Sequence, residues 1–495
     1  MSDYILSIDQ GTSSSRAMIF DVSGNVISSS QKSFEQHYPG DGWVEHNPED
    51  IWQSVLSVSQ NAILEAPIVV DEIKALGITN QRETTIIWEV ATGKPIYPAI
   101  VWQDRRTAAF CEGLTQEGYD ELFKEKTGLT IDPYFSGTKI HWILDYVKGA
   151  RKKAEAGELA FGTVDSYLLW QLTGGKVHAT DATNASRSLL FNIHDCQWDE
   201  ELLEIFNIPE SMLPEVKSSN SNFGVTDKAI FGHEIPITGI AGDQHAALIG
   251  QACITPGAMK STYGTGTFMM VNTGDEMIVS QNNLITTLAY HIDGKPTYAI
   301  EGSIFIAGAL IDWLKDKSQM IKTSEESEVL SAAVEDTGGV TFVPAFTGLG
   351  APYWDPEAKG AILGLTRDTS RAHIVRAALE SVAFQTLDLM MAMEEDGIMD
   401  VSIIRVDGGM VKNKWLCQQL ADMLQITMQR PKTTEITTVG AAFLAGLGAG
   451  IFNDLSEVNS WWVEDNTFLP NIGSPLRDKM YLNWQKAVKR VTDKA

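Results

Sequence analysis

The chain has 495 residues, 44% of them hydrophobic and 21% charged, which points to a globular protein of more than one lobe and excludes a disordered or fibrous one. Acidic residues outnumber basic ones 64 to 38, and a formal charge of −26 disfavours nucleic acid and anionic membrane surfaces as partners. The four cysteines, Cys111, Cys196, Cys253 and Cys417, are far apart with no CxxC pair, which reads as buried apolar fillers in a reduced, cytoplasmic protein.

From Asp3 the chain passes directly into a strand-like run, so no signal peptide is expected. Tyr4–Ile8, Arg16–Phe20 and Val26–Ser30 read as strands, joined by the polar turn Asp9–Ser15 and by Gly24-Asn25. Asn47-Pro48-Glu49 predicts a capped helix start, and Ile73–Ile78 and Thr85–Glu89 read as strands. A second hairpin of the first kind follows in mid-chain: Met259–Thr262, then Tyr263-Gly264-Thr265-Gly266-Thr267, then Phe268–Asn272. Two such hairpins predict two lobes of related design, with a boundary near Gly250 that divides the chain into 1–250 and 251–495. Ser370 predicts the start of a long helix carrying Ile374, Ala378, Val382 and Phe384. Val401–Val406 reads as a buried strand ending in Asp407-Gly408-Gly409, with a helix from Asn413. The small, apolar run Val439–Phe452 is too short to span a bilayer and reads as a packed internal helix. Alternation of this kind predicts α/β lobes.

Chemistry concentrates in a few segments. In Asp9-Gln10-Gly11-Thr12-Ser13-Ser14-Ser15-Arg16, a Gly-Thr turn can present backbone N–H groups and hydroxyls to phosphate oxygens. Arg16 could neutralise charge on a transferring phosphoryl group, and Asp9 could hold Mg²⁺ through water. Alone, the segment reads equally as a plain polar hairpin. Gly264-Thr265-Gly266-Thr267 strengthens the first reading, since one such turn per lobe could grip a triphosphate from both sides. Asp407-Gly408-Gly409 could admit a ring or ribose against the backbone, or could be no more than a tight turn. Asp243, after the apolar Ile237–Ile240, is suited to accept a hydroxyl proton, though structural carboxylates at strand ends are as common. Arg82-Glu83 offers donors and acceptors to a neutral polyol, with Trp102 and Tyr134 able to cover its carbons. There is no GxxxxGK[ST], no HRD…DFG pattern, no HExxH and no Gly-x-Ser-x-Gly, which argues against Walker-type NTPases, protein kinases, zinc peptidases and α/β-hydrolases.

In order along the chain, Ser7–Arg16, Ile78–Thr84, Val101–Arg106, Gly239–Gln251, Ser261–Phe268 and Val406–Asn413, together with the segments Tyr134–Asp145 and Gly360–Glu380, resemble the FGGY carbohydrate kinases, and among them those acting on glycerol. The resemblance covers nearly the whole chain. It implies two ribonuclease H-like lobes of the actin, Hsp70 and hexokinase type with an ATP cleft between them. It also implies transfer of the ATP γ-phosphoryl group to glycerol, in a cytoplasmic homodimer or homotetramer. Carried over, Arg82, Glu83, Tyr134, Asp243 and Gln244 bind glycerol, and Trp102 and Phe268 wall its apolar side. Asp243 is then the base, helped by Arg16, with Asp9 ordering Mg²⁺ through water. Thr12, Ser13, Ser14, Arg16, Thr265, Gly308, Asp312, Gly409 and Asn413 surround the nucleotide, although some relatives carry Gln at the position of Asp312. Phe231-Gly232-His233-Glu234 departs from the Gly-Gly-Thr-Arg pattern tied to fructose 1,6-bisphosphate inhibition. Ala229 stands where other members have a phosphorylated histidine, so both forms of regulation are expected to be absent or altered. Two other readings remain at this point: a kinase of the same fold acting on a pentulose or sugar acid, and a non-catalytic actin-like ATP-binding switch.

Overall fold

A computed structural model describes residues 3–355, 357–398 and 401–492. Two sheets organise the chain. In the first, the strands Val26–Ser33, Ser14–Asp21, Tyr4–Gln10, Ile73–Asn80 and Ile237–Gly242 lie side by side in that order. The first three are antiparallel and the last two join parallel to Tyr4–Gln10. The second sheet repeats the pattern with Lys295–Ile304, Thr267–Gly274, Met259–Tyr263, Ile403–Asp407 and Thr427–Pro431. It gains an edge strand on each side, Ile285–Ile292 and Glu464–Phe468.

The period of two along Tyr4–Gln10 decides what each face meets. Leu6 and Ile8 join the core formed with Ile51, Val55, Val58 and Ala62 of the helix Pro48–Glu65. That helix starts where Asn47 accepts a hydrogen bond from the Glu49 amide, as the Asn-Pro-Glu signal predicts. Ile5 points the other way, to Val439 and Phe443 of the helix Ile436–Gly448, and Ser7 Oγ donates to the Thr438 carbonyl at 2.8 Å. This helix comes from the C-terminal half, yet it lies on the N-terminal sheet. Its neighbour Asp243–Gly250 comes from the N-terminal half and packs with Met270, Ala289 and Ala299 of the second sheet. The two lobes are therefore joined by exchanged helices; of the apolar run 439–452, residues up to Gly446 form a buried helix as expected, whereas the helix ends at Gly448, and Ala449 and Gly450 are exposed.

Glycine makes that junction possible. A Cβ on Gly77 would stand 2.2 Å from the Ala441 carbonyl oxygen, and one on Gly440 would stand 1.8 Å from that of Ala246. Neither neighbour is a side chain that can turn away, so the helices need bare backbone to come this close.

Two expectations need correction. Cys196 is half-buried, whereas Cys111, Cys253 and Cys417 are buried; its backbone is left-handed at the end of the turn 193–196, which joins the strands Phe191–Asn192 and Gln197–Trp198. The strand expected at Val401–Val406 begins at Ile403, which is exposed, and only its later residues enter the core. Among the described residues no helix is long and apolar enough to cross a membrane.

We predict that Gly77→Ala lowers stability by about 2 kcal/mol through overpacking against the interlobe helix. Thermal unfolding checks this, and an unchanged midpoint would contradict so close an approach.

Candidate active site

The two Gly-Thr turns are built alike. In the first, Asp9 pairs across the hairpin with Arg16, and Gly11 N donates to the Ser14 carbonyl at 2.9 Å. In the second, Thr262 pairs with Phe268, and Gly264 N donates to the Gly266 carbonyl at 2.9 Å. The second turn is supported from behind: Ala307 N donates to the Thr265 carbonyl at 3.0 Å and Gly308 N to that of Gly264 at 2.9 Å. A Cβ on Gly308 would lie 2.5 Å from the Gly264 oxygen, so glycine is required there.

Between these turns lies a cavity of about 400 Å³. Thr12, Ser13, Arg82, Glu83, Trp102, Tyr134, Asp243, Gln244, Thr265 and Phe268, all expected at a site, line it together. The structure adds Gln36, Tyr38 and Gln103 at the same wall. Trp102 stands edge-on to Tyr134 and to Phe268, with ring centroids 5.7 and 6.2 Å apart, and its indole N–H donates to Thr12 Oγ1 at 2.9 Å. One residue thus forms part of the apolar wall and holds the hydroxyl of the first turn.

Charge is concentrated beside these rings, with the Arg82 guanidinium 5.8 Å from the Phe268 centroid and that of Arg187 5.6 Å from the Tyr134 centroid. Arg82 is buried; its Nε lies 3.1 Å from Asp243 Oδ1, and its two terminal nitrogens donate to Glu301 at 2.5 and 3.1 Å. Arg187 donates to Glu83 at 2.7 Å and to Glu301 at 3.0 Å. Two guanidinium groups and two carboxylates therefore balance with no solvent among them. Burial pushes the Glu83 carboxyl up, against the pull of Arg187 and Arg82. Glu301 is held well below the usual range: burial opposes ionisation there, and Arg187 and Arg82 outweigh it. Glu83 adopts a left-handed backbone, φ 58°, uncommon for a residue with a side chain and here the means of aiming its carboxylate into the cavity. Asp243 opens the helix Asp243–Gly250 with one oxygen accepting from the Gln244 amide at 2.6 Å. Lys260, fully buried, donates to Gln244 Oε1 and at 3.1 Å to Thr262 Oγ1, and burial pushes its pKa down to about 8.

Asp9, Ser14, Arg16, Gly308, Asp312, Gly409 and Asn413 lie outside the cavity wall. Arg16 pairs with Glu435, just before the interlobe helix, and donates to Gln31 at 2.8 Å. Ser14 Oγ accepts from Gln31 at 2.9 Å. Gly408, φ 95°, packs on the Tyr263 backbone, so Gly409 sits beside the second turn with open space where a Cβ would be. Asn413 caps the helix Lys414–Leu424, and Asp312 is exposed and paired with Lys315 at 3.0 Å. His233 lies half-buried just after the short helix Lys228–Phe231 and is not among the residues lining the cavity. Among the described residues no group of three His, Cys, Asp or Glu is placed to hold a metal ion by itself. A larger hollow of about 510 Å³ around Lys126 is walled by Asp195, Asp199, Glu200, Glu201 and Glu204, whose charge repels phosphate.

Arg187, Glu301 and Lys260 were not anticipated from sequence. Each is buried by segments distant in the chain, and its own neighbours in sequence do not signal that burial.

Models of the FGGY family of carbohydrate kinases match the chain twice, the N-terminal domain over residues 4–250 and the C-terminal domain over 259–449. The chain is 55% identical over 491 residues to glycerol kinase of Ectopseudomonas mendocina, covering 99% of each, and 54% identical over 495 residues to glycerol kinase 1 of Pseudomonas aeruginosa, covering 100% of each. It is similar in structure to Plasmodium falciparum glycerol kinase with ADP, with a TM-score of 0.93 at 39% identity over 100% of this chain and 99% of that one. A xylulose kinase from Lactobacillus acidophilus shares the fold at 21% identity, with a TM-score of 0.87 over 99% of this chain and 97% of that one.

Burial and the neighbouring Asp243 charge push the Asp9 carboxyl up to about 7, with Arg16 opposing. The folded protein therefore keeps a proton that the unfolded chain sheds near 3.8, and Asp9 costs stability as pH rises through that window. Asp9→Asn removes the cost. Its gain in melting temperature without nucleotide should be larger at pH 8 than at pH 5, and equal gains would contradict the assignment.

Proposed function

The chain belongs to the FGGY family of carbohydrate kinases, and on that premise we propose that it transfers the γ-phosphoryl group of ATP to glycerol, giving glycerol 3-phosphate and ADP. The observation that carries this reading is one cavity in which Asp243 shares walls with Arg82 and Glu83 on one side and Thr12 and Thr265 on the other.

Glycerol offers three hydroxyls, each both donor and acceptor. Arg82 donates, Glu83 and Asp243 accept, and Gln244, whose carbonyl oxygen is engaged by Lys260, is left to donate through its amide. Trp102, Tyr134 and Phe268 cover the carbons, and the likeness to relatives named glycerol kinase at 55–56% identity favours glycerol over a pentulose. We assign the proton-accepting role to Asp243, supported by its position at a helix start next to Arg82. In phosphoryl transfer the transition state is loose, so alignment and charge stabilisation dominate and the base acts late. The backbone amides and hydroxyls of residues 12–14 and 264–267 are the groups available to phosphate oxygens. Arg16 is the cation nearest the first turn; in the pairing described above it is held by Glu435, which phosphate would displace.

Mg²⁺ fits a place beside Asp9, because that carboxyl is partly covered and faces the charge of Asp243, a repulsion that a cation relieves. When bound with the nucleotide it would supply neutralisation of phosphate charge, held mostly by phosphate and water oxygens. Gly308, Asp312, Gly409 and Asn413 are assigned to the nucleoside end of the cleft, with Asp312 free to leave Lys315 when a ligand arrives. We take residues 1–250 as the acceptor lobe and 251–495 as the nucleotide lobe. The free cysteines and the demand for ATP support a cytoplasmic setting, and the resemblance alone supports a homodimer or homotetramer.

A coupled assay of ADP release tests the reading. Turnover should require glycerol and exceed that with erythritol or xylulose, with slow hydrolysis of ATP when glycerol is absent, since closure excludes water. Asp243→Asn should lower kcat by roughly 100-fold or more. Turnover within a few-fold of the unmodified protein would remove Asp243 from the role of base.

A further inference from the structure

The acceptor cavity draws most of its charged residues from the first half of the chain, yet its central cation is gripped from the other lobe. Glu301 sits on the strand Lys295–Ile304 with no exposed surface. Its two oxygens take both terminal nitrogens of Arg82, and one of them also takes Arg187. A bidentate carboxylate fixes both the plane and the rotation of a guanidinium group. With Nη1 and Nη2 engaged, the free edge of Arg82 is Nε, and it faces Asp243 at 3.1 Å. The same strand pairs Ser303 with Phe268, a wall of the cavity, and then runs into Ala307 and Gly308, the supports of the second phosphate turn. One rigid segment thus touches the acceptor cation and the nucleotide turn.

We infer that Glu301 is a positioning residue for the transfer: it aims Arg82 at the acceptor site and couples that site to occupation of the nucleotide turn. This rests on the reading of the cavity as an acceptor site. Glu301 reaches no substrate itself, being enclosed behind Arg82 and Arg187. Without its charge the two guanidinium groups keep Glu83 and, on the cavity side of Arg82, Asp243 as their carboxylate partners. Arg82 then turns fully onto Asp243 and occupies the carboxylate that must receive the hydroxyl proton.

The test compares the unmodified protein with E301Q and E301D by ADP release, by calorimetric binding of glycerol with and without ADP, and by thermal unfolding. The unmodified protein should bind glycerol at least about 5-fold more tightly with ADP present. E301Q should lose roughly 100-fold in kcat/KM for glycerol and should lose the ADP effect. E301D keeps the charge on a shorter arm and should fall between the two in both measurements. E301Q within about 3-fold of the unmodified protein in kcat/KM, or with its ADP effect intact, overturns the inference. If E301Q does not fold, E301D decides: a variant equal to the unmodified protein in both measurements overturns it as well. No glycerol-dependent ADP release from the unmodified protein would instead overturn the functional reading and this one with it.

Discussion

Two arginines and two glutamates, Arg82, Arg187, Glu83 and Glu301, meet out of reach of water, and the acceptor site depends on their balance. Desolvating four charges is expensive, and removing one partner of such a set costs about 3–5 kcal/mol because a naked charge stays behind. The set is tolerable only when every member arrives in place. Arg82 and Glu83 follow the strand Ile73–Asn80, Arg187 follows the short helix Ala182–Ala185, and Glu301 comes from the second sheet. Three distant segments must therefore dock together before the cavity exists. The same field keeps His245 neutral: burial and then the two guanidinium groups push its pKa well below the usual value.

Around that cluster the fold brings two turns of one design to face each other. Each arises where an antiparallel hairpin of a five-strand unit ends, so repeating the unit supplies both turns that line the cavity. The helices exchanged between lobes join the two sheets that carry them. Their approach relies on Gly77 and Gly440, where backbone oxygen of the neighbouring helix fills the space of a side chain.

Much of this was legible in the sequence, because the informative signals were local. The hairpins, the cap at Asn47, the buried helix that begins the apolar run at Val439 and the Gly-Thr turns each depend on residues close in the chain. Arg82, Glu83, Trp102, Tyr134 and Asp243 were found as separate motifs, and the structure gathers them in one cavity. What sequence could not give was partnership. Arg82 and Glu301 are 219 residues apart, and neither periodicity nor turn chemistry links them. Lys260 reads as an ordinary polar residue at a hairpin, and its burial under Gln244 follows only from the packing of the interlobe helices. Val401 misled for the opposite reason: its β-branched side chain favours a strand, yet the strand starts two residues on, at Ile403, whose exposure depends on what packs over the strand's beginning.

The central claim is geometric: an alcohol oxygen held at Asp243 stands in line with a phosphate gripped by residues 12–14 and 264–267. A crystal structure with glycerol and a non-hydrolysable ATP analogue tests it directly. The account predicts a glycerol hydroxyl within hydrogen-bond distance of Asp243 and pointing at the terminal phosphorus, with phosphate oxygens on both turns. Glycerol seated away from Asp243, or phosphates touching neither turn, would contradict it.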